Sequence, residues 1–183
     1  MMPGKMITGQ IAEIPGPQKA LIIQSAESVA AMVKRASRPL FVFGSEAQNI
    51  TTNDGDLIDA AIKLTENPKN TIVTTGHTIA EFRRRKVEKV FSMQLMNLGD
   101  RLRDPDWGGF DGKGVYDLVV FVGFTYYLEW LVLSGLKNFA IGLKTISLDR
   151  TYQPNAGWSM GLMTEREWKD TLEKIVSMLV EVA

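Results

Sequence analysis

The stretch YDLVVFVG, residues 116–123, carries the strongest strand signal in the chain and decides its fold class. Residues 118–122 are all apolar and include three valines, a composition typical of a strand that is buried on both faces. Gly123 then ends the run. Such strands occur mainly in parallel sheets that helices cover on both sides, so this stretch predicts an α/β protein.

Other short segments with strand character lie on either side of it, and segments with helical periodicity separate them. They are residues 40–43, 71–74, 91–95 and 144–149. Strands that alternate with helices imply parallel pairing through right-handed crossovers. We therefore predict a three-layer, doubly wound parallel sheet of five or six strands with a Rossmann-like architecture.

Capping residues mark the first two predicted helices. Ser25 caps a helix whose buried face carries Val29, Ala30 and Val33. Asn53 or Asp54 caps a second helix. The buried stripe of that helix comprises Leu57, Ile58, Ala61, Ile62 and Thr65.

The second half of the chain predicts three further helices. Residues 78–89 form a charged helix, and residues 126–136 are apolar nearly all round, which predicts a helix that is buried or at an interface. Between them, residues 96–114 are loop-rich. The sequence TERE at 164–167 is a capping box that opens a C-terminal helix. The apolar stripe of that helix comprises Trp168, Leu172, Ile175, Val176, Leu179 and Val182.

Composition excludes several kinds of chemistry. The chain has 183 residues, no cysteine, one histidine (His77) and a formal net charge of zero. It therefore forms no disulfide, cysteine-held cluster or multi-histidine metal site, and we predict neither catalytic nor metal-binding residues. The basic run at 83–86 has helical ion-pair spacing to acidic neighbours, with Glu81 four residues before Arg85 and Arg84 four before Glu88. We therefore expect a solvated charged face and no nucleic-acid partner. No apolar run is long enough to cross a membrane, and we expect a cytoplasmic protein.

Residues 1–24 differ from the rest of the chain, because three prolines and three glycines interrupt any regular pattern. We predict an irregular N-terminal arm there, and a single Rossmann-like domain over residues 25–183. The arm either packs across a neighbouring subunit or is a loosely held terminus.

The predicted site lies where the strands end, since doubly wound sheets bind ligands at the carboxyl ends of their strands. Glycines there permit tight turns and close approach of a phosphate, hydroxyl groups can bind phosphate or ribose, and a carboxylate can bind a ribose hydroxyl. The candidate cofactor-binding residues are Gly44, Ser45, Thr75, Gly76, Gly123 and Asp149. Ordinary turn and helix-cap roles for the same residues remain the alternative.

Two loops carry aromatic residues that suit a partner. Trp107 and Phe110 lie in a glycine-rich loop at 106–114, which is a lid over a cofactor, a docking loop for a partner or an ordinary long loop. Trp158 and Met160 lie in a second loop, at 155–161, and exposed Trp and Met favour partner contact.

The order of four segments resembles the middle domain of thiamine-diphosphate enzymes. These segments are RPLFVFGS at 38–45, TIVTTG at 71–76, YDLVVFVG at 116–123 and TISLD at 145–149. That domain belongs to the DHS-like NAD/FAD-binding folds, which include sirtuins and deoxyhypusine synthase. In some thiamine enzymes it binds FAD or ADP.

Nearly the whole chain is similar to the epsilon subunit of the archaeal acetyl-CoA decarbonylase/synthase complex. The arm and residues 38–45, 106–114, 117–123 and 155–161 carry this likeness. The resemblance implies a small accessory subunit that associates with the large Ni–Fe–S alpha subunit as an α2ε2 carbon monoxide dehydrogenase component. It implies metal clusters in the partner alone, and FAD as the candidate cofactor of the component.

Three functions follow as hypotheses. The first is the accessory subunit, which stabilises the alpha subunit and assists electron transfer to FAD. The second is an independent FAD- or nucleotide-binding module. The third is a stand-alone thiamine- or sirtuin-like enzyme, for which the chain lacks a complete catalytic set. We expect a homo-oligomer or an α2ε2 assembly.

Overall fold

A computed structural model describes residues 16, 18–52 and 55–180 of the chain. The strands in this part are β1 (Leu21–Ile22), β2 (Pro39–Phe43), β3 (Thr51–Thr52), β4 (Gly55–Asp56), β5 (Thr71–Thr74), β6 (Phe91–Ser92), β7 (Leu118–Val122), β8 (Lys144–Ser147) and β9 (Trp158–Ser159). The α-helices are α1 (Ala26–Arg35), α2 (Leu57–Leu64), α3 (Ile79–Arg84), α4 (Leu95–Arg103), α5 (Tyr126–Phe139) and α6 (Glu165–Val180).

Within the described residues, seven strands form one sheet in the order β1-β9-β8-β7-β2-β5-β6, and every pair in it is parallel. Without β1, this is the 3-2-1-4-5-6 order of doubly wound nucleotide-binding sheets. The predicted parallel α/β sheet is confirmed, and its order is consistent with a Rossmann-like fold. The order reverses between β2 and β7, so the carboxyl ends of these two strands flank the central crevice.

Successive residues of the central strands point to opposite helical layers. Phe41 and Val120 belong to the core beneath α1, α2 and α6, while Val42 and Phe121 belong to the core beneath α4 and α5. Burial on both faces explains why β2 and β7 are continuous apolar runs rather than alternating ones.

The predicted caps of α1 and α6 are confirmed, and the predicted cap of α2 was wrong. The Ser25 side chain accepts the amide of Ser28 at 3.3 Å and caps α1. Asp56 caps α2 through a capping box with Asp59, in place of the predicted Asn53 or Asp54, which themselves lie outside the described residues. Thr164 and Glu167 form the predicted capping box of α6. Val182 of the predicted α6 stripe is also outside the described residues.

The predicted boundaries of the helix, the strand and the loop between residues 78 and 114 were wrong. α3 ends at Arg84, because Lys86 adopts a left-handed backbone conformation with φ of 58°. The predicted strand at 91–95 ends at Ser92, and the segment assigned to loop contains α4. Leu95, Leu98 and Leu102 recur at helical spacing, which was the signal for this helix.

The predicted strand count is too low, because β9 and β1 extend the sheet by two strands at one edge. β8 was expected to be the last strand, but β9 follows it and pairs with β1. β1 lies inside the predicted irregular arm. The Tyr152 hydroxyl donates to the carbonyl oxygen of Ala20 at 2.7 Å and holds this segment against the same chain. Residues 1–15 and 17 of the arm lie outside the described residues.

Among the described helices, none combines the length and hydropathy that a membrane-spanning segment requires.

Candidate functional site

The central crevice, between the carboxyl ends of β2 and β7, is filled by backbone. The amide of Glu46 donates to the carbonyl oxygen of Gly123 at 2.9 Å. A Cβ atom on Gly44 would lie 2.1 Å from that same oxygen. Contact between the two loops therefore requires glycine at position 44.

Asp149 follows β8 and directs its carboxylate at the loop between β7 and α5. Its Oδ1 accepts the amide of Gly123 at 2.7 Å, and its Oδ2 accepts the amide of Phe124 at 3.0 Å. Backbone amides between a strand and the next helix are the usual phosphate ligands in such sheets. In this chain a side-chain carboxylate takes that position.

A second carboxyl group, that of Glu129 on α5, lies near Asp149. The Glu129 side chain is fully buried, and Gln153 Nε2 donates to its Oε2 at 3.0 Å. Burial raises the pKa of Glu129 well above its usual range, and the charge of Asp149 raises it further. Burial also raises the pKa of Asp149, but its two amide donors favour the charged form. Burial therefore favours the protonated form of Glu129, and the two amides favour the charged form of Asp149.

A pocket of about 360 Å³ opens beside this carboxyl pair. Phe124, Tyr126 and Trp168 contribute aromatic surface to it. Its polar and charged lining comprises Glu46, Glu129, Asp149, Arg150, Thr151, Gln153 and Glu165. The pocket therefore combines aromatic walls with an excess of carboxyl groups.

The second candidate feature is an exposed apolar face on α5. Tyr127, Leu131, Gly135 and Phe139 recur every four residues and share one side of the helix. Tyr127 and Phe139 are each 65% exposed, Leu131 is 52% exposed and the adjacent Leu128 is 40% exposed. We call the four side chains of Tyr127, Leu128, Leu131 and Phe139 the α5 apolar stripe. Contiguous exposed apolar side chains mark interaction sites.

The sequence matches a family model over residues 2–176, and that model describes the CO dehydrogenase beta subunit/acetyl-CoA synthase epsilon subunit. The chain belongs to this family. The match covers nearly all of the chain, so the sheet, the pocket and the α5 apolar stripe all lie within the family domain.

Relatives in three archaea agree with this membership, and each is named as an epsilon subunit of the acetyl-CoA decarbonylase/synthase complex. The protein of Methanothermobacter thermautotrophicus is 31% identical over 93% of this chain and 95% of its own length. That of Archaeoglobus fulgidus is 36% identical over 94% and 88%. That of Methanothrix soehngenii is 36% identical over 83% and 79%.

The six predicted cofactor-binding residues all lie at the carboxyl edge of the sheet in this family member. Gly44, Gly123 and Asp149 meet directly, as described above. Thr75 is buried and its amide donates to the carbonyl oxygen of Phe43 at 3.0 Å, in continuation of the ladder between β2 and β5. The remaining two, Ser45 and Gly76, are exposed. The structure thus brings Gly44 and Asp149 each into contact with Gly123, and the cofactor role of all six residues stays a prediction.

A dinucleotide does not fit these residues as they are arranged. The amides of Gly123 and Phe124 are already satisfied by Asp149, and contact between the Gly44 and Gly123 loops closes the crevice. A pyrophosphate placed there would also meet the carboxylate of Asp149, which repels it. We therefore derive no chemical step through FAD.

The two aromatic loops are packed rather than free. Phe110 stacks on Phe91 with ring centroids 4.7 Å apart, and Trp107 meets Phe110 edge-on at 5.2 Å. Both half-buried rings pack against the core below α4 and α5, and the lid or docking role of this loop stays a prediction. The exposure expected in the second loop was wrong for Met160. Met160 is fully buried, and Trp158 is half-buried in β9.

Sequence reasoning missed Glu129 and Gln153. Glu129 is the sole charged residue in the segment YYLEWLVLSGL at 126–136, and a lone carboxyl in an apolar helix was the available signal. Gln153 carried no local signal, because its burial depends on how residues 148–159 cross the end of the sheet. Among the described residues, no group of three or more His, Asp or Glu side chains is arranged to hold a metal ion.

Proposed function

We propose that this chain is the small accessory subunit of the carbon monoxide dehydrogenase component of an acetyl-CoA decarbonylase/synthase complex. In this proposal it acts in the cytoplasm within an α2ε2 assembly and stabilises the large Ni–Fe–S alpha subunit. Metal chemistry belongs to that partner, and we assign no catalytic step to this chain. The names of the relatives support the complex, and the strand order supports the DHS-like type of α/β fold.

The α5 apolar stripe is the observation that carries the proposal. Its side chains are exposed on the isolated chain, although burial of each large apolar side chain is worth about 1.5–3 kcal/mol. Gly135 lies within the stripe, and no atom lies within 4 Å of where its Cβ would be. Packing inside this chain therefore does not require glycine there, whereas close approach of a partner would.

The occupant we propose for the stripe is the alpha subunit. The relatives are named as subunits of a complex, so a partner surface is expected, and α5 offers an apolar one. The predicted interface candidates were the arm, Trp107, Phe110 and Trp158. The described part of the arm is held in the sheet, and the three aromatic side chains are at least half-buried, so α5 replaces them as the proposed contact.

Co-purification with the alpha subunit tests this proposal. Leu131→Glu places a charge in the stripe and is expected to abolish capture of the alpha subunit, while the isolated variant keeps its melting temperature. Leu162→Glu is the matched control, because Leu162 is 59% exposed in the loop before α6, outside the stripe, and the variant is expected to leave capture unchanged.

Two results would contradict the proposal. Equal capture of the alpha subunit by Leu131→Glu and by the unaltered chain would remove the stripe as the contact. An alpha subunit that is equally stable and active without this chain would remove the accessory function. A second copy of this chain is the alternative occupant of the stripe. Light scattering of the isolated chain tests for it, because a dimer that Leu131→Glu dissociates would assign the stripe to that second copy.

The role in electron transfer to FAD receives no support from the strand ends, because the crevice that would hold the flavin is filled. Assistance of electron transfer stays part of the proposal. The rate of FAD reduction by the alpha subunit, measured with and without this chain, tests it. A rate that is unchanged by the chain removes that role.

A further inference from the structure

The pocket at the carboxyl end of β8 has a charge that nothing in the fold explains. Glu46, Asp149 and Glu165 line it as carboxylates, against the single guanidinium of Arg150. Glu165 is paired with Lys169 at 2.8 Å. Glu46 has no ion-pair partner among the described residues. A negative charge is thus left at the mouth of a concave site.

The interior of the pocket holds an acceptor without a donor. Gln153 is 1% exposed, and its Nε2 donates to the carbonyl oxygen of Tyr126 and to Glu129 Oε2, each at 3.0 Å. Because Nε2 must face the Tyr126 carbonyl, the amide cannot be turned round. Its Oε1 is buried and accepts no hydrogen bond from any described residue. A buried acceptor without a donor costs about 1–3 kcal/mol, and a donor on a bound group would offset that cost.

The walls of the pocket suit a cation. Phe124, Tyr126 and Trp168 line it, and aromatic faces attract ammonium and guanidinium groups. Anions are disfavoured, because the amides that would bind them already hold the Asp149 carboxylate. Charge, the unpartnered acceptor and the aromatic lining all favour the same class of ligand.

We propose that this pocket binds a guanidinium or primary ammonium group, which donates a hydrogen bond to Gln153 Oε1 and is balanced in charge by Glu46. The group belongs either to a free small amine or to a basic side chain of a partner subunit. This site is separate from the α5 apolar stripe and does not depend on the proposed function.

Titration of the isolated full chain with agmatine, followed by NMR, tests the site. At constant ionic strength, we expect saturable shifts of the Gln153 side-chain amide and of the Gly123 backbone amide. Glu46→Gln is expected to weaken binding about fivefold, the usual scale for loss of one partly exposed ion pair. Glu66→Gln, at an exposed glutamate outside the pocket lining, is the matched control and is expected to bind like the unaltered chain.

Three outcomes overturn the proposal. They are the absence of a saturable shift at Gln153, equal affinity in Glu46→Gln, and an equal shift with inorganic phosphate or ADP. Repeating the titration on the complex with the alpha subunit distinguishes a free amine from a basic side chain of the partner. Loss of agmatine binding there indicates that a partner side chain fills the pocket, and retained binding indicates a free amine. The first titration uses the isolated chain. A negative result there therefore does not affect the accessory-subunit proposal, which the co-purification experiment tests separately.

Discussion

The ionisation of Glu129 depends on groups from distant parts of the chain rather than on its own segment. It occupies an apolar helix, yet its carboxyl group is fully buried beside Asp149. A buried ionised carboxyl is costly, so the pair retains a proton. Burial raises the pKa of Glu129 well above its usual range, whereas two amide hydrogen bonds stabilise the charge of Asp149.

Substitution of Glu129 by glutamine is expected to make stability less dependent on pH. The pKa of Glu129 is raised in the folded state, so the folded chain binds more protons than the unfolded chain above about pH 4.5. The free energy of unfolding must then fall as pH rises from that value through the folded pKa. A glutamine side chain does not titrate, so Glu129→Gln should lose less stability between pH values of about 5 and 9. Denaturant unfolding at several pH values across that range measures this.

Asp149 is the nearest titratable group and Glu46 acts on Asp149, so the variant is expected to keep part of the slope. Equal slopes in the variant and the unaltered chain would contradict a protonated Glu129.

Two glycine-to-alanine substitutions are expected to have opposite effects. Gly44→Ala would force a methyl group to 2.1 Å from the Gly123 oxygen, and such overpacking costs about 1–3 kcal/mol or more. Gly135→Ala meets no atom within 4 Å and relieves a glycine in a helix, so it should add about 0.5–1 kcal/mol. Melting temperatures of the isolated variants measure both. A stable Gly44→Ala would show that the two loops are not in the contact described.

At the scale of elements, α2 and α3 are joined by Arg85 rather than by local helix pairs. Its guanidinium donates to both carboxylate oxygens of Asp56, at 2.6 and 2.9 Å, and to Asp59. The predicted pair of Glu81 with Arg85 is present at 3.9 Å. The predicted pair of Arg84 with Glu88 does not form, because α3 ends at Arg84, which pairs with Glu81 at 2.6 Å. The basic run therefore includes one bridge between helices.

Removal of Arg85 is expected to destabilise the chain, and removal of its neighbour is not. Arg85→Ala breaks a two-pronged pair at the start of α2 and should cost about 1–2 kcal/mol. Arg84→Ala is the matched control, because the Arg84 side chain is 72% exposed and its loss should cost less than about 0.5 kcal/mol. Urea unfolding of the two variants makes the comparison. Equal losses would mean that the bridge contributes nothing beyond an ordinary surface pair.

For the molecule as a whole, the carboxyl edge of the sheet combines a nucleotide-binding strand order with a closed crevice. The order of β2, β5, β6, β7, β8 and β9 alone would place a dinucleotide between β2 and β7. Loop contact and the Asp149 carboxylate occupy that position, and the remaining pocket lies to one side, beside β8 and α6.

FAD, NAD and ADP are therefore expected to leave the melting temperature of the isolated chain unchanged at millimolar concentration. A ligand present at about 100 times its Kd would add about 2.7 kcal/mol, so binding of useful affinity would be visible. A clear rise with any of the three would contradict the closed crevice and restore the independent nucleotide-binding module. The same scan with agmatine provides the positive comparison.

The sequence by itself determined the α/β class, the parallel central strands, the caps of α1 and α6, and the family. These follow from short-range signals, since an apolar run such as 118–122 or a capping box such as 164–167 is complete within a few residues. It also predicted that the six candidate residues lie at the same edge of the sheet, because parallel strands end together.

Tertiary structure alone decided which groups contact one another at that edge of the sheet. The contact between Gly44 and Gly123, the capture of two amides by Asp149 and the burial of Glu129 beside Asp149 join positions that are distant along the chain. The pairing of β1 with β9 is equally remote. Local periodicity reports which face of an element is apolar, but it does not report which distant polar group will meet a buried amide. That depends on how the strands and loops pack together in three dimensions.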